Sequence, residues 1–356
     1  MKKRITKYLS LLLACAMTAT LAACGNSGNT ANAGNAGTTA AGSETPSGNA
    51  EYTLVCASAD GSGGITHQGM QMFEKLLEEK SDGRIDVQIY MDGLLGGERE
   101  IIEGMLLGSI QMSPASEGIY SYYDKQFAVL ELPYLFSSYD AYNEACEGDV
   151  GDYLKDLFKQ YGFTCHGIFS MGYRVLLNNK HEVRTPEDIK GMKIRVPEVD
   201  SFVECFKALG SNPTPMSWSE IYTGLQQGTI DGMECSPPAI NDSRFQEVGK
   251  YVSTTNHIMA TGALVFSSAF LESLPEDLQA MVEECCDEVQ GWLKTAYIDE
   301  WTNVLNEWTE TGAAEVTYLT DEEFEAFRDL VMPIYDTKLK PTYGAELIDM
   351  CFAHSN

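Results

Sequence analysis

Positive charge is scarce in this 356-residue chain: 24 Lys and Arg stand against 52 Asp and Glu, a net charge of −28. That balance excludes nucleic-acid binding, and it excludes docking on an anionic membrane by charge alone. Histidine is scarce too, at five copies (His67, His166, His181, His257 and His354), and neither HExxH nor Gly-x-Ser-x-Gly occurs. The segment Gly167-Ile168-Phe169-Ser170-Met171-Gly172 comes within one residue of the second pattern without meeting it. No Gly-Lys-Ser/Thr accompanies the glycine-rich loop Asp60-Gly61-Ser62-Gly63-Gly64-Ile65, which reads as a flexible turn rather than a phosphate cradle. No CxxC pair and no metal-ligand spacing is present, so neither a metal nor another cofactor is expected. Of ten cysteines, Cys56, Cys146, Cys165, Cys205, Cys235, Cys285, Cys286 and Cys351 fall in the body of the chain, scattered without a disulfide framework. They read as small apolar core residues. After the N-terminus, no apolar run is long enough to span a bilayer.

What is present begins with an export signal. Lys2, Lys3, Arg4 and Lys7 precede an apolar run from Tyr8 to about Met17, the layout of a secretory leader. The run ends at Leu21-Ala22-Ala23-Cys24, which resembles a bacterial lipobox and predicts cleavage before a lipidated Cys24. Losing the four leader charges takes the remainder from −28 to about −32. Residues 25–50 are almost wholly Gly, Asn, Ser, Thr and Ala, too poor in apolar surface to fold. As a flexible coil they would span roughly 30 Å, a tether holding a folded body off a membrane.

The body, residues 51–356, is long for one core and suggests two lobes. Tyr52 to Ala57 and Ile85 to Tyr90 read as strands, with helices over about 66–79 and 98–107 and a short strand at Ile110-Gln111-Met112. The pattern restarts after Gly162, with strands near 163–170, 172–178 and 193–196. Alternating strands and helices imply a largely parallel, helix-covered sheet. Ser273-Leu274-Pro275-Glu276 reads as a capping box opening a helical pattern to about Gly312, whose apolar stripe drifts and is interrupted at Gly291, and Thr320-Asp321-Glu322-Glu323 caps a last helix.

Two of the eight arginines head apolar, strand-like runs: Arg174 in Gly172-Tyr173-Arg174-Val175-Leu176-Leu177, and Arg195 in Lys193-Ile194-Arg195-Val196-Pro197. A guanidinium keeps its charge, and burying it unpaired is costly. An incoming carboxylate held bidentately would supply the partner.

These segments, with Glu79 to Ile85, Leu95-Gly96-Gly97-Glu98-Arg99-Glu100, Glu131 to Phe136, Ala208 to Glu220, Gln227 to Glu234 and Thr255-Asn256-His257, resemble the solute-binding proteins of tripartite ATP-independent (TRAP) transporters, dicarboxylate-binding type. The resemblance covers nearly all of the chain after residue 50. It implies an α/β, two-lobe periplasmic-binding-protein-like fold with a hinge and a long helix spanning both lobes. It places lobe I at 51–172 plus about 262–300, and lobe II at 173–261 plus about 301–345. It implies no enzyme activity. The role would be capture of a small organic acid and delivery to the membrane permease subunits of a TRAP transporter, driven by an ion gradient, with the membrane reached only through the lipid anchor on the outer face of the cytoplasmic membrane.

By the same resemblance Arg195 grips the ligand carboxylate, Arg174 is a second cleft arginine, Trp218 and Tyr222 form an aromatic wall, and Ser116 lines the first-lobe side. Cys235 stands where the family pattern Asp-Gly-Gln-Glu-Asn-Pro supplies an asparagine. A thiol is softer and less polar. If it faces the ligand, aliphatic, keto or aromatic acids should outcompete polyhydroxylated ones. Two other classes compete with this reading. A neutral-sugar receptor of an ATP-driven importer would leave the arginines without partners, and a lipid-anchored hydrolase would need a nucleophile–base pair that the sequence does not offer.

Overall fold

The computed structural model describes residues 50–355. The leader, the Leu21–Cys24 motif and all but the last residue of the tether lie outside the described residues.

Among the described residues, eleven strands form two sheets. The first contains β1 (Tyr52–Ala57), β2 (Ile85–Tyr90), β3 (Met112–Ala115), β4 (Phe163–Tyr173) and β10 (Met259–Ser267), in the order β2-β1-β3-β10-β4. β1 runs parallel to β2 and β3, since helix Ile65–Lys80 and helix Glu98–Leu107 return the chain between them. β10 is antiparallel to both β3 and β4. The strand expected from Ile110 begins only at Met112, because Gln111 offers its side-chain oxygen to Val55 N at 2.9 Å. The second sheet contains β5 (Val175–Asn178), β6 (Lys193–Val196), β7 (Asn212–Pro215), β8 (Gly232–Cys235), β9 (Tyr251–Ser253) and β11 (Glu315–Thr317), ordered β11-β9-β5-β8-β6-β7. Pro213 and Pro215 lack an N–H, and they stand on the edge strand, where the ladder does not need one.

This is the expected two-lobe α/β fold, one sheet to each lobe. The chain passes between the sheets at three places: Arg174 alone separates β4 from β5, residues 254–258 link β9 to β10, and helix Glu276–Thr311 leads to β11. The first two crossings lie side by side, with Arg174 N donating to Ile258 O at 2.9 Å. Beside them Gly172 adopts φ +89°, and a Cβ there would meet the Trp301 ring at 2.7 Å. Glycine fits both demands.

The 36-residue helix Glu276–Thr311 spans both lobes, as expected, and runs unbroken through Gly291. Leu278, Val282, Cys285, Cys286, Val289, Leu293 and Tyr297 pack into the first sheet's core, whereas Val304, Leu305 and Trp308 pack into the second's. Its apolar stripe drifts because its two halves face two cores. Between them, Trp301 Nε1 donates to Tyr173 O at 2.8 Å and braces the crossing. The capping box expected at Ser273 does not form: Ser273 Oγ donates to Phe270 O, Ser268–Ser273 is a separate helical turn, and Pro275 precedes the helix. The box at Thr320 and Glu323 does form.

Helices outside the sequence expectation include Tyr139–Glu147, Asp149–Gln160, Asp200–Ala208 and Ala345–Ala353. The residues after Val331 fold back toward the first sheet, where Tyr335 OH donates to Pro133 O at 2.8 Å and Gln126 Nε2 to Tyr343 O at 3.2 Å. All eight cysteines of the body are free and buried, as expected of core residues.

Candidate functional site

A cavity lies between the two sheets. Its first-lobe wall carries Asp60 after β1, Glu98 in the first turn of helix Glu98–Leu107, Ser116 after β3, and Glu131. Its second-lobe wall carries Arg195, Trp218 and Cys235, and Arg174 sits at the crossing.

Arg195 is 2 % exposed. Its neighbours Ile194 and Val196 are buried in the core, and strand alternation turns Arg195 to the opposite face, into the cavity. Nε donates to Met216 O at 2.9 Å, and the guanidinium lies over the Trp218 ring, 5.7 Å from its centroid. Trp218 in turn packs edge-on against Phe245 at 5.0 Å. Among the described residues Arg195 makes no ion pair. Its terminal nitrogens, the pair that takes a carboxylate bidentately, make no hydrogen bond among the described residues. Burial presses its pKa down, opposed by Glu98.

Arg174 differs, because it already has a carboxylate. Glu234 on β8 pairs with Nε at 2.5 Å and Nη2 at 2.9 Å, and Nη2 also reaches the Glu234 carbonyl at 3.1 Å. The guanidinium stacks over Phe202 at 4.9 Å. Glu234 is fully buried, which disfavours its charge, yet Arg174 and His257 outweigh burial and hold its carboxyl below the ordinary value. Burial keeps His257 on the neutral side. Its Nε2 contact with the Glu234 carboxylate, 3.2 Å, therefore requires the proton on Nε2, and Nδ1 accepts from Thr255 Oγ1 at 2.8 Å. Thr255, His257, Glu234 and Arg174 thus form one buried chain, which fixes Arg174 through Nε and Nη2 at the edge of the cavity.

Of the other expected residues, Ser116 lines the cavity and donates to Glu131 Oε1 at 3.0 Å. Cys235 lines it at the end of β8, and burial raises its thiol pKa. Tyr222 is not brought to the cavity: its hydroxyl donates to Glu247 at 3.2 Å, on the outside of lobe II. Three acidic residues were missed. Burial raises the pKa of Asp60, and of Glu98 against the pull of Arg195. It pushes Glu131 up to about 7, against Arg174 and Ser116. In a chain with 52 acidic residues, nothing in the sequence marks these three. Only the glycines before Glu98 and around Asp60 hint at backbone that must come close.

Contacts across the cavity tie the lobes together. Asp242 Oδ2, from lobe II, accepts Ile65 N at 3.2 Å and so caps the first-lobe helix Ile65–Lys80, whose own N-cap residue, Gly64, has no side chain. The loop expected to be a flexible turn is therefore fastened, and a Cβ on Gly64 would lie 2.1 Å from Asp242 Oδ2. Lys125 pairs with Asp200 at 2.8 Å, and Tyr122 OH donates to Glu198. Among the described residues no group of three His, Cys, Asp or Glu could hold a metal ion.

Residues 57–341 match the family model described as bacterial extracellular solute-binding protein, family 7. The chain is 28% identical to the C4-dicarboxylate-binding periplasmic protein DctP of Rhodobacter capsulatus, over 79% of this chain and 84% of that protein. Its structure resembles the sugar acid binding protein of Advenella mimigardefordensis in complex with galactonate, with TM-score 0.82 and 25% identity over 85% of this chain and 97% of the other. It also resembles a TRAP periplasmic solute binding protein of Sulfurospirillum deleyianum with bound succinate, with TM-score 0.81 and 26% identity over 85% and 99%.

Proposed function

The chain belongs to the bacterial extracellular solute-binding proteins of family 7, and we propose that it is a lipid-anchored receptor that captures a small organic acid between its lobes and hands it to an ion-gradient-driven TRAP permease. Members of this family are solute receptors and not enzymes. One observation carries the ligand class. Arg195 is buried in the cavity, pinned by Met216 and Trp218, and lacks a carboxylate of its own. An organic acid supplies that carboxylate. The acids held by the similar proteins, galactonate and succinate, support the reading.

In this reading Arg195 is the anchor and Arg174 adds a second contact, while Trp218, Cys235 and Ser116 form walls. Tyr222 has no part. Lobe I comprises 51–172 plus about 262–300, and lobe II 173–261 plus about 301–345, with the residues after Tyr335 braced against lobe I. The crossings at Arg174 and 254–258 serve as the hinge. Closure needs ligand contacts that exist only when both walls meet, and the walls here come from different lobes. Cleavage and lipidation at Cys24 would leave the receptor on a flexible tether at the outer face of the cytoplasmic membrane, beside the permease.

A neutral-sugar receptor fits less well, because closure would trap Arg195 without a counter-charge. A hydrolase fits less well too, since Ser116 is bonded to a carboxyl and no histidine lines the cavity. A thermal-shift screen over organic acids and neutral sugars is the test. Ligand at 100 times its dissociation constant stabilises by about 2.7 kcal/mol. Shifts with acids and none with sugars are expected, and the reverse overturns the reading.

A further inference from the structure

We propose that a second cavity, behind the hinge, is a binding site for a small neutral aromatic amide, and that filling it holds the lobes closed over the ligand cavity.

This second cavity, of about 350 Å³, has walls from both lobes. Tyr134, Phe136 and Phe352 stand on the lobe I side and Phe324 and Met332 on the lobe II side, with Tyr173 and Asn256 between them at the two crossings. The crossings place it opposite the ligand cavity, because consecutive residues of an extended chain face opposite ways. Arg174 lines the ligand cavity, and Tyr173 lines the second one. In the other crossing His257 turns to Glu234, behind Arg174, while Asn256 lines the second cavity. Two cavities on opposite sides of one hinge change volume in opposite senses. Parting the lobes at the ligand side drives Phe324 and Met332 toward Phe136 and Phe352. A molecule lodged there is a wedge against opening, and by linkage the closed receptor binds it more tightly.

The lining sets the chemistry of that molecule. Five aromatic rings favour a flat ring packed against them. One of them, Tyr134, meets Phe324 edge-on at 5.4 Å across the lobes, from a left-handed backbone, φ +56°, that costs a tyrosine strain. Among the described residues the only charges in the lining are Arg328 and Glu325, which pair with each other at 2.9 and 3.1 Å. The lining therefore carries no net charge and, unlike the ligand cavity with Arg195, suits a neutral guest. Asn256 Oδ1 is buried without a hydrogen-bond partner, a costly state. A turn of this amide presents the oxygen to a ligand N–H. The volume is at the small end of ligand pockets, room for one or two rings.

The test uses the full-length protein in detergent, with benzamide and nicotinamide as probes and ringless butyramide as the control. Calorimetry, with detergent alone as the blank, should show saturable binding of both aromatic amides and none of butyramide. Ile65 N bonds to Asp242 Oδ2 across the lobes, so hydrogen exchange at Ile65 reads opening without any transported acid. Saturating probe should slow that exchange about tenfold, within the usual range of coupling between sites. Met332→Trp, which fills the cavity from lobe II, should abolish probe binding and by itself slow exchange at Ile65. Ser137→Phe fills it from lobe I, and melting temperatures report whether each variant folds. Binding by neither aromatic amide, or binding that survives both filled variants, overturns the site. Butyramide binding as tightly as benzamide overturns the aromatic class. Binding that leaves exchange at Ile65 unchanged, or speeds it, overturns the wedge. Each of these failures leaves the carboxylate-receptor reading standing, because no step of the test involves Arg195 or an acid.

Discussion

Replacing Arg195 with alanine separates binding from folding, because this side chain does little for the empty protein. In the closed cavity a ligand carboxylate and the guanidinium are both desolvated, and truncating one partner of such a pair costs about 2–5 kcal/mol. At about 1.4 kcal/mol per factor of ten, that is a loss of roughly thirty- to several-thousand-fold in affinity. Without ligand the balance is different. Arg195 gives up one hydrogen bond to Met216 O and a stacking contact on Trp218, each worth about 1 kcal/mol. Against this, the variant no longer buries a charge that has no partner. Urea unfolding of the empty variant should therefore stay within about 1 kcal/mol of the parent. Arg195→Lys keeps the charge and loses the planar fork, so it should recover only part of the binding. Calorimetry with an acid that binds the parent reads the outcome. An alanine variant that binds within threefold of the parent refutes Arg195 as the anchor, and one that unfolds shows the side chain to be structural.

Three further outcomes follow from the same geometry. Glu234→Ala leaves Arg174 buried without its partner and should cost about 3–5 kcal/mol in urea unfolding, whereas a loss under about 1 kcal/mol would show that solvent reaches the pair. Burial pushes the Asp242 carboxyl up to about 6, so between its ordinary value and 6 the folded state binds the proton more tightly than the unfolded chain does. This group's contribution to stability thus grows as pH falls through 6 and fades as pH rises. Asp242→Asn should flatten that part of the urea-midpoint profile, and an unchanged profile refutes the assignment. Mass spectrometry of membrane-extracted protein should find a diacylglyceryl group on Cys24 at the mature N-terminus, and an unmodified terminus elsewhere would remove the anchor.

Elements with a strong period were legible in the sequence. The helices at 65–80 and 98–107, the strand at Lys193–Val196 and the cap at Thr320 lie where their patterns place them. The long helix was legible in extent but not in reason, since a stripe serving two cores looks like drift. Ser273 misled because a local capping pattern lost to Pro275, which takes the N-cap position of a helix that starts at Glu276. In the site, the two arginines stood out because charge buried in strands is rare. Their difference did not, because Glu234 meets Arg174 only through the pairing of β5 with β8. Asp60, Glu98 and Glu131 were invisible for the opposite reason: the chain is so acidic that the few carboxylates turned inward look like the many turned outward. Tyr222 was lost to helix geometry, one turn past Trp218 but rotated toward Glu247.

The free thiols give the molecule a built-in stopwatch. Seven of them lie in the lobe cores without touching the cavity, in two clusters that only unfolding exposes. Cys235 alone lines the cavity, covered by the opposite lobe, with its thiol kept protonated by burial. An alkylating reagent should therefore find one reactive position in the native protein, and only during the intervals when the lobes part and the thiol can ionise. Its labelling rate counts openings of the empty receptor. The slowing of that rate by a bound acid measures how long each closure lasts.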